Sequence, residues 1–378
     1  MPTAALRAWQ QGGRPNNVAA VNRNHALDTL RGLLLLVIAI NHFSGPIPMI
    51  TYQPFGYVTG AEGFVLISGI AMGLLGQKFA TAGRGNFSSW CRRRSLTIYG
   101  YHLVVVIAIL ALAGAGEPFT AFCVKNMPEL ADQPWRKLPA AFALLYQPRY
   151  NAILPLYCLL LLIAPLVLAC LRRFGPARVL IASLSIWGLI QGFWSEQRVY
   201  EISDQFGWRL GIKNPFAWQV LFVLGLVAGT KPTWFTTRLE RLSGIGTAAS
   251  LLLVIALKVT HSLHSEVLGI TNLAAATDGD TLGWLRLLNT LLVAYLIWWL
   301  LVRLPPIGPN PVAFLGRLSL PVFAGQIVLL YLFRPFFDKT NDPAWLLALG
   351  SLLLSASQFG PAFLHARWQA WRRVAPLS

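Results

Sequence analysis

The feature that most limits what this chain can become is a series of about ten long, mostly apolar stretches running through its whole length. A helix rises about 1.5 Å per residue, so roughly 20 such residues match the ~30 Å hydrocarbon layer of a bilayer. The expected spans are 26–46, 58–77, 96–115, 152–171, 177–194, 216–230, 244–259, 282–302, 312–333 and 344–366, of which the sixth and seventh are short. Hydrophobic residues make up 55% of the chain and charged residues only 12%, about half the charged share of a soluble domain. The pattern predicts an all-α integral membrane protein, a bundle of about ten transmembrane helices. One membrane domain over 26–366 is expected between tails at 1–25 and 367–378. The first tail has three Arg and no apolar core, so no cleavable signal peptide is expected.

The chain has 31 Lys+Arg against 14 Asp+Glu, a net charge of +17. A nucleic-acid binder can show such an excess, but the apolar runs set that class aside and no nucleic-acid partner is expected. Lys and Arg collect in cytoplasmic loops. With a cytoplasmic N-terminus and ten alternating spans, the inner segments take the larger share of the bases, and Glu240 is their only acid. Both termini are therefore expected in the cytoplasm. The inner loop 78–95 ends in Arg92-Arg93-Arg94.

Cys91, Cys123, Cys158 and Cys170 fall at different depths, so neither a structural disulfide nor a zinc cluster is expected. His261 and His264 lack a third ligand and read as interfacial residues.

Polar residues at membrane depth need a reason, because each is expensive there. The first span holds Asp28, Arg31, Asn41 and His42. Arg31 and His42 are eleven positions apart, about 20° past three helical turns, so they share a stripe and lie about 16 Å apart. Asp28 is one turn before Arg31 and can pair with it. Arg31 either snorkels to the inner headgroups or faces the bundle interior; His42 either closes the outer helix end or does chemistry. Glu62 opens the second span near the depth of His42, where a carboxylate–imidazole pair would orient the ring. Gly69 and Gly73 follow Ser68 and suit close helix packing. Tyr99 and His102 lie in the third span, His102 about two turns deep.

Two outer loops, 116–151 and 195–215, mix Trp135, Tyr146, Tyr150, Tyr200 and Trp208 with charged and amide side chains. That mixture suits a carbohydrate and equally suits an interfacial aromatic belt. Residues 138–145 are too few to span and either lie in the surface or re-enter.

Several strings carry a likeness. Leu27-Asp28-x-x-Arg31-Gly32 followed by His42 resembles the first helix of the acyltransferase-3 superfamily. Closer still is the OpgC family, succinyltransferases of osmoregulated periplasmic glucans. The matching strings are Ala61-Glu62-Gly63-Phe64-Val65-Leu66-Ile67-Ser68-Gly69, Arg93-Arg94 with Tyr99 and His102, Ile153-Leu154-Pro155-Leu156-Tyr157, Asn214-Pro215-Phe216-Ala217-Trp218-Gln219 and Leu315-Gly316-Arg317-Leu318-Ser319-Leu320. The likeness runs from about Asn24 to the last helix. It departs at Gln326, near which relatives often carry a histidine.

The resemblance implies a bacterial inner-membrane enzyme that takes an acyl group from cytoplasmic succinyl-CoA and delivers it to a glucose hydroxyl of a periplasmic glucan. Succinyl-CoA would be a donor substrate; no permanently bound cofactor or metal is implied. Arg92, Arg93, Arg94 and Arg31 would hold the CoA, His42 would act as base, and Glu62 would orient it. Asp28, Asn41, Ser68, His102, Trp218 and Gln219 are the further substrate-binding candidates, Asn41 and Ser68 as guesses for an oxyanion donor. The implied partners are acyl-CoA, the glucan and the bilayer, and a homo-oligomer is left open. Two alternatives stand beside this reading. One is O-acetylation of another surface polysaccharide. The other is transport of an anionic solute past Arg31, Arg286 and Arg317, although no second half with matching broken helices is evident.

Overall fold

In the computed structural model, which describes residues 24–43, 45–82, 86–193, 213–242, 244–263 and 273–374, the described residues form helices and turns with no strand. The first helix, α1 (His25–His42), starts where the Asn24 side chain accepts from Leu27 N at 3.2 Å, satisfying one of the free N–H groups of a first turn. It ends four residues before the expected limit, because Gly45 at φ +121° and Pro46 turn the chain into α2 (Pro46–Thr51). Then come α3 (Gly60–Ala82) and α4 (Phe87–Ala113), the latter capped by Asn86. Three short helices, α5 (Phe119–Asn126), α6 (Pro128–Asp132) and α7 (Pro134–Phe142), precede α8 (Ile153–Phe193). The two spans expected at 152–171 and 177–194 are the two arms of α8, divided where Gly175 adopts φ +79° before Pro176.

Asn214 caps α9 (Pro215–Thr230), whose first residue is proline, a residue that costs no hydrogen bond there. The chain continues through α10 (Pro232–Glu240), α11 (Ile245–Leu263), α12 (Leu273–Thr277) and α13 (Trp284–Arg303). Asn310 and Pro311 repeat the same start at α14 (Pro311–Arg317). The last helices are α15 (Ser319–Phe333), α16 (Ala344–Ser357) and α17 (Phe359–Val374). Seven helical runs among the described residues are long and apolar enough to cross a membrane: α3, α4, α8, α11, α13, α15 with its extension to Phe336, and α16 joined to α17. Helix α9 is apolar but only 16 residues long. Helix α1 is not one of the seven, and it spends four of its 18 residues on Asp28, Arg31, Asn41 and His42. The molecule is an all-α, multi-pass membrane protein.

Glycines set the closest helix pairs. A Cβ at Gly69 would sit 2.2 Å from Phe222 O, and one at Gly225 would sit 2.2 Å from Leu66 O. Gly73 and Gly229 continue the same contact one turn on, so α3 and α9 meet backbone to backbone. Gly316 brings α14 equally close to α1, where a Cβ would meet Asp28 O at 1.8 Å. The core runs between these pairs through Leu35, Ile98, Leu161, Trp218, Phe222 and Phe323. Leu251, Leu252, Leu253 and Ile255 on α11 remain outside it and exposed, as suits a lipid-facing helix.

The connections gather at two ends. At one, Gln53 takes hydrogen bonds from Lys258 (3.2 Å) and pairs with His261 (2.7 Å). There too the Phe43 ring meets Phe337 at 5.0 Å, and Trp187 and Gln191 donate to the carbonyls of Leu282 and Thr281. At the other end Asn310 donates to Thr29 at 2.9 Å and the Phe79, Phe87 and Trp90 rings meet. The stretch 138–145 dips inward: Ala140 and Ala141 of α7 are buried, and Tyr99 and His102, near the middle of α4, bond to the carbonyls of Phe142 and Ala141. His264 and the loop aromatics Tyr200 and Trp208 lie outside the described residues, as do residues 1–23 and 375–378 of the two tails.

Candidate functional site

Helix α1 is unbroken from Arg31 to His42, so the two side chains keep the separation of about 16 Å that helical rise dictates. His42 ends the helix. Its ring lies against Tyr150, with centroids 4.7 Å apart. Gln326 Nε2 sits 3.5 Å from its Nδ1, a long contact. Among the described residues its Nε2 makes no hydrogen bond. Gln326 is wholly buried, and its Oε1 has no partner among the described residues.

The wall facing His42 is the tripeptide Arg149-Tyr150-Asn151, and each residue in it is fixed separately. The Arg149 carbonyl accepts from the Tyr331 hydroxyl at 3.2 Å. Tyr150 adopts φ +74°, a conformation that costs a non-glycine residue about 1–3 kcal/mol and persists only where the surroundings enforce it. The Asn151 amide donates to His102 Nδ1 at 3.0 Å, and His102 Nε2–H donates to Ala141 O at 2.9 Å. His102 thus has both nitrogens engaged and no exposed surface. It ties α4 to the wall through both ring nitrogens.

Glu62 does not pair with His42 as expected. Its carboxylate takes Arg286 Nη1 at 2.7 Å on one oxygen, and Thr59 N (2.9 Å) and Oγ (2.5 Å) on the other. Both side chains are nearly or wholly buried, at 0% exposure for Glu62 and 9% for Arg286. A carboxylate with no water needs a permanent countercharge and filled lone pairs. A guanidinium supplies both, whereas a neutral imidazole supplies no charge.

This pair anchors the turn before α13. Arg286 Nε donates to Thr277 O at 2.8 Å, and Lys213 bonds to Gly279 O and sits 3.8 Å from Asp280. In the same turn burial works to raise the Asp278 carboxyl, but the Thr281 hydroxyl and the N–H groups of Thr281 and Asp280 hold it below the usual range.

The remaining expected residues divide. Trp218 is fully buried, and its indole donates to the carbonyls of Gly279 and Asp280 at 3.0 and 3.1 Å. Gln219 is clamped to the Ser183 hydroxyl and carbonyl. Neither presents a free polar atom to a substrate. Asn41 ties α1 to α2, accepting from the Thr51 hydroxyl at 2.6 Å and donating to its carbonyl. Ser68 is buried inside α3. Arg31 is half-buried with its Nε unpartnered among the described residues, and the Asp28 backbone is the surface on which Gly316 rests.

Arg92, Arg93 and Arg94 leave α4 in directions about 100° apart, as successive helical residues do. Arg92 and Arg93 are exposed, while Arg94 is half-buried, within electrostatic reach of Tyr101 and His365. The Tyr101 hydroxyl lies 3.2 Å from His365 Nδ1.

Sequence reasoning did not find Arg149 or the Glu62–Arg286 pair. A lone arginine in the eighth span was the available signal for the latter. Gln326 was visible only as a departure from the family pattern, and its contact with His42 gives that departure a place. No curated protein and no solved structure matches the chain. The family model described as OpgC protein matches residues 23–371. From α1 to α17, then, the chain belongs to the OpgC family, which implies a glucan-modifying membrane acyltransferase.

Proposed function

We propose that the protein moves a succinyl group from cytoplasmic succinyl-CoA to a glucose hydroxyl of a periplasmic glucan, across an inner membrane spanned ten times with both termini inside. The observation that carries this reading is His42: a histidine with an Nε2 unengaged among the described residues, at one end of a helix whose other end bears Arg31. The charge asymmetry of the loops and their gathering at two ends support the topology. About 16 Å of helix between Arg31 and His42 is on the order of an extended pantetheine arm.

In this reading Arg31 and Arg94 hold the phosphates at the inner face, and the thioester reaches His42. His42 Nε2 takes the proton of the glucose hydroxyl as its oxygen attacks the thioester carbonyl. The C–S bond then breaks, and the imidazolium returns its proton to the departing thiolate, leaving a succinyl ester and free CoA. For this Nδ1 must carry the other proton. Turning the Gln326 amide end for end puts Oε1 on Nδ1–H, pairs that oxygen and frees Nε2 as the base. Gln326 therefore has the orienting role that Glu62 was expected to have. Glu62 instead holds the frame, which also takes Arg286 away from the anion path of a carrier.

Purified protein incubated with succinyl-CoA and periplasmic glucan tests this by mass spectrometry of the glucan. Gain of succinyl units is expected. Gain of acetyl units alone from acetyl-CoA, or solute uptake without CoA binding, would replace the reading with one of its rivals.

A further inference from the structure

Two guanidiniums flank the His42–Tyr150 ring pair, and they differ in one respect. Arg334 donates to the Phe337 carbonyl, lies over the Phe43 ring and has Asp338 and Asp342 within electrostatic reach. Arg149 lies over the Tyr150 ring, its Cζ 5.4 Å from the centroid, with no carboxylate bonded to it among the described residues. Its charge reaches His42. Its backbone is not free to swing away: Tyr331 holds the Arg149 carbonyl, Tyr150 is fixed at a positive φ and Asn151 is tied to His102. An enforced, strained backbone thus keeps an uncompensated cation beside a histidine. Left alone, that arrangement opposes proton transfer, since two positive charges would face each other once the imidazole is protonated.

We propose that Arg149 binds the free carboxylate of the donor's acyl group and so selects a dicarboxylic monoacyl thioester over a plain acyl thioester. The inference rests on the acyl-transfer reading of His42 and adds the group that discriminates among donors. Its geometry follows from the direction of approach. An arm entering from the inner face leads with its acyl end, so the far carboxylate projects past His42 toward the outer mouth, where Arg149 is exposed. In succinyl the carboxylate lies roughly 4 Å beyond the thioester carbon, and Tyr150 separates His42 from Arg149 by one ring. A guanidinium is suited to this task, because its fork takes both carboxylate oxygens. Binding neutralises the cation as the acyl group arrives, which removes the repulsion from His42 for the substrate that carries the charge. Because Arg149 faces the aqueous end, the pair forms without burying either ion.

The test compares succinyl-CoA with butyryl-CoA, in which a methyl replaces the carboxylate, as donors to one glucan. Wild type, Arg149→Met, Arg149→Lys and Arg334→Met are assayed after purification, each normalised to folded protein. Wild type is expected to favour succinyl. In Arg149→Met the succinyl-to-butyryl ratio of kcat/KM should fall about 10- to 150-fold, the loss expected of a charge-assisted hydrogen bond. Arg149→Lys should keep part of the preference, and Arg334→Met should keep all of it. An unchanged ratio in Arg149→Met, or a collapse in Arg334→Met instead, overturns the assignment while leaving acyl transfer intact. A wild type that transfers neither group overturns the acyl-transfer reading itself, and the assignment with it.

Discussion

Arg286 Nη1 lies 2.7 Å from Glu62 Oε1, and the two buried side chains join α3 to α13. The contact spans 224 positions of sequence and gives the carboxylate a guanidinium partner in place of the imidazole expected beside it. Breaking a buried pair from one side leaves the other charge stranded, at a cost of about 3–5 kcal/mol.

Glu62→Gln is therefore expected to lower the thermal midpoint of the detergent-solubilised protein and the yield of folded protein. Transfer per folded molecule should change little. Glu62→Gln combined with Arg286→Met should recover most of the lost stability, because no buried charge remains alone. A normal melting curve with a large fall in turnover would instead return Glu62 to the chemistry.

The arginine triplet gives a second expectation. Only Arg94 turns toward the bundle, so Arg94→Gln should weaken acyl-CoA binding by about 10- to 150-fold, the scale of a lost cation–phosphate hydrogen bond. Arg92→Gln and Arg93→Gln, on exposed sides of the helix, should each cost several-fold less. Equilibrium binding to the purified variants decides it, and equal losses at all three positions would contradict the assignment.

Gln326 gives the third. If its amide fixes the tautomer of His42, Gln326→Leu should lower kcat by about tenfold or more, on the scale of a hydrogen bond to a charged group, with acyl-CoA affinity unchanged. Gln326→His or Gln326→Glu, which can still accept from Nδ1–H, should recover part of the rate. Loss of protein level in step with activity would mean that Gln326 only fills space.

Legibility in the sequence followed physical range. Apolar length is a local signal, and it gave most of the long helices close to where they lie. Gly69 and Gly73 were readable as a packing stripe because helical spacing alone puts them on one face. The early end of α1 and the splits at Leu318 and Gln358 turn on single residues in or beside apolar runs, which hydropathy smooths over. Site residues on one helix, Arg31 and His42, were placed correctly relative to each other by helical rise. Partners brought together by tertiary folding were not. Glu62 had two candidate countercharges at similar depth, and nothing local distinguishes a histidine on the neighbouring helix from an arginine hundreds of residues later. Tyr150 carries no sequence mark of its positive φ, since neither glycine nor asparagine stands at that position.

The central claim is that His42 Nε2 is the base for acyl transfer, and its most direct test is single-turnover transfer from succinyl-CoA to glucan by His42→Ala and His42→Gln. Both variants should insert, fold and bind acyl-CoA like the wild type, because the proposed phosphate site is about 16 Å away at the other end of α1. Transfer should fall by about 10²–10⁴, the contribution of a positioned general base. Retention of most of the transfer rate by His42→Gln, or activity that falls only as folded protein falls, would contradict the account and leave His42 as a residue that closes a helix.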